Sequence, residues 1–209
     1  MEPNRPSEIT VDIDGRWNHN TAYFQPLLDA MPDPCRTALD IGCGDGLLAR
    51  AMAQRSEHVT GIDPDHTTIE EARRLGDDDH IVEFVEGDFL THAFDNRDFD
   101  FITAVASLHH MPTVEALSKT KDLLGPGGTL FVVGCAQSST PTDFAYDVAG
   151  TIANRVVQTR RGFWQHSAPV TDPEITYAEM RRVADDQLPG SDFRRRLYYR
   201  YTLTWTRPR

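Results

Sequence analysis

At 209 residues, 39% hydrophobic and 25% charged, the chain has the length and composition of one globular domain with a full core. Its formal net charge of −11 is uneven, with 10 basic against 26 acidic side chains in residues 1–149 and 11 against 6 in 150–209. An acidic body argues against a phosphate-gripping face, no apolar run approaches the roughly 18 residues of a membrane span, and the polar start is unlike a secretion signal, so a cytoplasmic protein with neither a nucleic-acid nor a membrane partner is expected.

Taken in chain order, strand and helix signals alternate from residue 37 to 136. Thr37-Ala38-Leu39-Asp40-Ile41 is a short apolar run stopped by glycine, hence a buried strand. Leu47, Leu48, Ala51 and Met52 recur at helical spacing. A second strand covers 59–63 and ends at Pro64, after which Asp65 can cap a helix through Leu75. Strands follow at 81–85 and 99–105, then a helix over Val114, Leu117, Lys121 and Leu124 closed by Gly125-Pro126-Gly127-Gly128, then a fifth strand over 129–134. Apolar strands joined by helices describe a doubly wound, mostly parallel α/β sheet with helices on both faces, of the Rossmann-like type.

The tail reads differently. Thr140-Pro141-Thr142-Asp143 is a helix start, and Phe144, Val148, Ile152 and Val156 step by four into one apolar stripe. Thr171-Asp172-Pro173-Glu174 is expected to open another helix. From Leu197 to Thr206 apolar and polar residues alternate without a turn residue, so 193–206 is expected to be one long antiparallel edge strand, with Arg194-Arg195-Arg196 at its solvated end. Three cysteines, Cys35, Cys43 and Cys135, show no paired or metal-like spacing, which fits a reducing compartment.

The chemistry gathers where the strands end, the side of an open parallel sheet on which ligands bind. Gly42, Gly44 and Gly46 follow the first strand, and such a turn lets backbone approach a ligand closely. A pyrophosphate is disfavoured: Leu47 stands where the third glycine of the dinucleotide fingerprint belongs, and Asp40 would repel a phosphate while suiting a cation. Asp63, about twenty residues on, can accept both hydroxyls of a ribose. Asp88 can accept from an exocyclic amine while Phe89 packs on a purine. Adenosine, no phosphate and a positive group together describe S-adenosylmethionine.

LDIGCGDG (39–46), GIDPD (61–65), EGDF (86–89) and LLGPGGTLFV (123–132) resemble four ordered motifs of the class I S-adenosylmethionine-dependent methyltransferases. RWNHNTAY (16–23) is similar to the N-terminal segment of their small-molecule members. The resemblance implies one methyltransferase domain over 1–209: an N-terminal lid segment at 1–34, a cofactor-binding core at 37–136, substrate-side helices at 137–190 and the edge strand. It places the methionine portion of S-adenosylmethionine on Asp40, Gly42, Cys43 and Gly44, the ribose on Asp63 beside Pro64, and the adenine on Asp88 and Phe89. Backbone at Val105 and Ala106 would face the sulfonium, and Arg16 to Tyr23 would fold over as a lid, with His19 a contact.

Methyl transfer mainly needs alignment and a dry site, and a base only if the acceptor starts protonated. His109 and His110 follow the fourth strand; either can be that base, with His109, nearer the strand end, expected to face the methyl. Their more ordinary role is to hold the helix after Met111-Pro112. No carboxylate cluster accompanies them, so no metal is expected. Phe144, Trp164 and His166, with Tyr146 and Phe163, would suit an apolar or aromatic small-molecule acceptor, leaving S-adenosylhomocysteine as product. Two other readings are a protein that uses the cofactor for sensing or non-methylating catalysis, and a nicotinamide oxidoreductase, which Leu47 and Asp40 disfavour.

Overall fold

Strands that are apolar on both faces can only be buried between layers of helix, and the chain builds that arrangement. The computed structural model describes residues 17–76, 81–95, 98–161 and 173–209. Five strands run parallel: β1 (Thr37–Ile41), β2 (His58–Asp63), β3 (Val82–Glu86), β4 (Phe99–Val105) and β5 (Leu124–Gly134). β6 (Asp192–Arg195) and β7 (Tyr201–Thr206) complete the sheet, β7 lying antiparallel to both β5 and β6. The order is β3-β2-β1-β4-β5-β7-β6.

Helices α1 (Phe24–Asp29), α2 (Leu47–Met52) and α3 (His66–Leu75) cover one face, with Leu27, Met52 and Ile69 packed in the same cluster as Ala38, Val59 and Phe101. On the other face α4 (Thr113–Leu123) and α6 (Tyr177–Gln187) bring Leu117, Met180 and Ala184 onto Leu39, Ile102 and Val132. The doubly wound sheet is the one expected. Because β1 pairs with β2 on one side and β4 on the other, the connections leaving β1 and β4 diverge to opposite faces. Their carboxyl ends therefore bound a crevice.

Three expectations change. The run 193–206 is not one strand but a hairpin, since Leu197–Arg200 turns the chain with Tyr198 and Tyr199 both left-handed, at φ 56° and 59°. No glycine marks this turn because tertiary contacts hold it: Arg195 Nη1 donates to the carbonyls of Arg196 and Arg200, and Tyr199 hydrogen-bonds Thr151 at 2.6 Å. The helix expected from Thr171 starts instead at Tyr177, where Thr176 and Glu179 form a reciprocal capping box. Pairing in β5 already begins at Leu124 opposite Phe99, and Gly125 to Gly128 bulge out before Thr129 meets Phe101.

Helix α5 (Pro141–Arg161) starts as expected, Thr140 and Asp143 capping each other. It is tied to the hairpin by Arg195, which was expected at a solvated strand end and is buried, its side chain 9% exposed. Arg195 Nη2 meets Asp147 Oδ1 at 2.6 Å, and the guanidinium lies 3.8 Å from the Tyr177 ring centre. Asp143 is buried beside it. Removing Arg195 takes a charge-assisted hydrogen bond from the partly buried Asp147 and the nearby cation from the buried Asp143. Arg195→Ala should therefore lower unfolding stability by about 1.5–3 kcal/mol, read by urea denaturation, whereas exposed Arg194→Ala should change it by under ~1 kcal/mol.

Candidate functional site

The crevice is a cleft of about 1410 Å³ walled by the residues that follow β1, β2, β3 and β4. Gly42, Gly44 and Gly46 all have positive φ, at 73°, 56° and 75°. They are glycine for different reasons. A Cβ on Gly42 would fall 2.4 Å from Cβ of Ser107, whose hydroxyl donates to the Ile41 carbonyl at 2.6 Å. A Cβ on Gly46 would fall 2.4 Å from the Phe84 ring. A Cβ on Gly44 would meet nothing nearer than the Thr68 methyl, 4.0 Å away. Room beside the turn is thus found at Gly44, whereas at the other two a Cβ would collide with the chain's own side chains. Cys43 lines the cleft with its thiol buried and its pKa pushed well up by that burial, so it is no nucleophile.

Asp40 is 1% exposed and lines the cleft, and its Oδ2 has no hydrogen-bond partner among the described residues. Burial first, then the charges of Asp63 and Asp45, push its pKa from 3.8 to about 8. Asp63 accepts from the Gly44 N–H on Oδ2 and the Asp65 N–H on Oδ1, both at 3.0 Å. Those bonds bind the glycine turn to the start of α3 and leave each oxygen a second lone pair for a ligand. Pro64, exposed, continues the wall. Asp88 accepts from the N–H groups of Leu90 and Thr91 on Oδ1, at 2.7 and 3.1 Å. Phe89 is at once core and cleft wall; Lys119 stands 5.3 Å over its ring and donates to the carbonyls of Leu90 and His92.

Past β4, Val105 and Ala106 line the cleft. Ala106 has φ 53°, a left-handed backbone costing a non-glycine residue on the order of 1–3 kcal/mol and typical of functional sites. The chain then enters a 3-10 turn, Leu108–His110. That turn reverses the expectation for the histidines. His110 lines the cleft and His109 does not, their rings lying 4.0 Å apart.

In the N-terminal segment His19 also leaves the cleft. Its ring stacks on Tyr198 at 5.6 Å and meets Trp17 edge-on, and burial lowers its pKa while a hydrogen bond to Asn154 opposes that. Asn18, Asn20, Thr21 and Phe24 form the wall instead, which no sequence periodicity signalled. Phe144 is 56% exposed and does not line the cleft. Trp164, His166, Phe163 and Arg16 lie outside the described residues. Among the described residues no His, Cys, Asp and Glu cluster is placed to hold a metal, and no helix is long and apolar enough to cross a membrane.

Residues 39–132 match the family model described as a methyltransferase domain. An uncharacterised methyltransferase of Mycobacterium tuberculosis is 39% identical over 203 residues, covering 94% of this chain and 100% of its own. The chain belongs to the class I S-adenosylmethionine-dependent methyltransferases. A ubiquinone biosynthesis O-methyltransferase of Marinobacter nauticus is 30% identical over 151 residues, 65% of this chain and 63% of its own. The solved S-adenosylmethionine-dependent methyltransferase of Methanosarcina mazei superposes with a TM-score of 0.62 at 20% identity, over 88% and 97% of the two chains. This methyltransferase uses S-adenosylmethionine, and two features of its cleft fit that cofactor: the unpartnered buried oxygen of Asp40, which suits its ammonium, and the open backbone of Gly44.

Gly42→Ala should lower the melting temperature markedly, because a Cβ there meets another Cβ and not a flexible tip. Gly44→Ala should melt close to wild type, within the ~1–2 kcal/mol of left-handed strain, yet bind S-adenosylhomocysteine more weakly by calorimetry. The Asp40 pKa has its own consequence. With a folded value of about 8 against 3.8 when unfolded, the folded ligand-free protein holds a proton the unfolded chain has lost between those values. That contribution is therefore full below pH 4 and disappears as pH rises through 8. Melting curves of ligand-free protein between pH 6 and 8 should fall more steeply for wild type than for Asp40→Asn.

Proposed function

We propose that this methyltransferase transfers its methyl group to a small apolar or aromatic molecule, by alignment in a water-excluding cleft and without an obligatory histidine base. The observation that carries the reading is size. At about 1410 Å³ the cleft exceeds the roughly 300–1,000 Å³ that one small ligand needs, so a second molecule can sit beside the cofactor. Met111, Leu90 and Phe89 give part of the wall an apolar character. Relatives named for ubiquinone biosynthesis and for sterol 24-C-methylation support a small-molecule acceptor.

In this reading Asp40 and the backbone of Cys43 and Gly44 hold the amino-acid end of the cofactor. Asp63 beside Pro64 takes the ribose hydroxyls, and Asp88 with Phe89 takes the adenine. Val105 and Ala106 present backbone near the sulfur, where the strained Ala106 fixes the direction of the chain. The bound cofactor supplies a methyl group on a positively charged sulfur. The protein's part is then to hold donor and acceptor in line and to keep water out, an effect reaching roughly 7–11 kcal/mol in favourable models. An acceptor that is already nucleophilic needs no proton removed. His109, off the cleft and against His110, serves packing, while His110 is the histidine on the cleft wall.

Incubation of the pure protein with metabolite extract and radiolabelled methyl donor should label a small organic-soluble product. Label found solely in protein or nucleic acid would reject the acceptor class. With the acceptor in hand, His110→Ala should reduce the single-turnover rate by less than ~10-fold; a loss of about 10²–10⁴-fold with unchanged cofactor affinity would make His110 the base.

A further inference from the structure

Two asparagines of the cleft wall have their side-chain oxygens consumed by the protein itself. Asn18 is 4% exposed, and its Oδ1 accepts from the N–H groups of Asn20 and Thr21 at 2.8 and 2.9 Å. Asn20 Oδ1 accepts from Nε and Nη2 of Arg200 at 3.0 and 2.8 Å. An amide whose oxygen is occupied in this way has its NH₂ group left to offer. Neither Nδ2 donates to any described residue, and both residues line the cleft.

Arg200 does not choose this pose freely. Its Nη1 faces the carbonyls of Tyr198 and Tyr199, the two left-handed residues of the hairpin turn, at 3.4 and 3.3 Å. The same turn accepts the Tyr23 hydroxyl on the Leu197 carbonyl at 2.8 Å and stacks Tyr198 on His19. The C-terminal hairpin thus decides which way the Asn20 amide is presented. Elsewhere on the same wall lies the buried carboxylate of Asp40. A carboxylate together with fixed amide donors is the complement of a zwitterion, ammonium on one side and carboxylate on the other.

We propose that Asn18 and Asn20 donate to the carboxylate of the cofactor's amino-acid portion, with Arg200 as the positioning residue that orients the Asn20 donor. The proposal rests on the reading of Asp40 and Gly44 as the amino-acid end of the cleft. Asn→Asp is the discriminating change, since it keeps the Oδ1 acceptor, and with it the bonds to backbone and to Arg200, while replacing the donor by a negative oxygen. Calorimetry would compare wild type, Asn18→Asp, Asn20→Asp, Arg200→Lys and Asp40→Asn against two ligands. One is S-adenosylhomocysteine. The other is 5′-methylthioadenosine, which has the nucleoside and thioether but no amino-acid portion.

Each Asn→Asp variant should lose ~10-fold or more for S-adenosylhomocysteine and stay within about twofold of wild type for 5′-methylthioadenosine. Arg200→Lys should show a smaller loss of the same selectivity. Equal losses for both ligands at normal melting temperature, or no loss for either, would overturn the proposal and leave the asparagines a merely structural wall. Asp40→Asn separates the two levels: a selective loss there without one in the asparagine variants refutes this inference alone, while wild-type affinity in Asp40→Asn refutes the placement of the amino-acid end on which it rests.

Discussion

The contact between Gly42 and Ser107 sets the geometry on which the cleft depends. β1 and β4 are neighbours whose following segments must part to opposite faces of the sheet, and at that point the two chain ends press together. Gly42 has no Cβ because Ser107 occupies the space, and the Ser107 hydroxyl closes the junction on the Ile41 carbonyl. Either side of this joint the glycine turn and the left-handed Ala106 diverge. Backbone at both is thereby held open to the cleft by packing beneath it.

Electrostatics at the site follows from where the sheet puts its acids. Asp40 sits inside a central strand opposite Gly61 and Thr103, so its carboxylate is buried whatever its charge. Asp63 and Asp45 stand close enough to oppose its ionisation. Asp63 is held by two backbone N–H groups, which fix the direction of its carboxylate oxygens. The result is a negative cleft with one reluctant member, a setting in which a bound cation relieves the strain of gathering like charges.

The two ends of the described chain meet across the site. The acidic body and basic tail look like a surface asymmetry in the sequence, yet two of the tail's arginines work inside the molecule. Arg195 ties α5 to the hairpin through Asp147, and Arg200 ties the hairpin turn to Asn20. Thr151 and Gly150 of α5 pack on the same turn. The face of α5 bearing Phe144, Val148 and Ile152 points away from these contacts and stays more than half exposed.

What the sequence determined by itself was whatever depends on neighbours along the chain. Apolar runs of five to seven residues, a capping Asp65 and the Thr140–Asp143 pair are local, and the parallel sheet and its glycine turn followed from them. The acids at 40, 63 and 88 were legible because strand ends are legible. Partners brought together by folding were not. A turn through two left-handed tyrosines carries no glycine to announce it, since Thr151, Arg195 and Arg200 hold it from a distance. Which of two adjacent histidines faces the cleft depends on a 3-10 turn after β4, and which residues of 17–24 reach it depends on the hairpin they lean against. The reasons for the three glycines likewise lie in Ser107, Phe84 and open space, none of them adjacent in sequence. Local propensity chose the elements, and contacts between residues far apart in the chain chose the faces they show to the ligand.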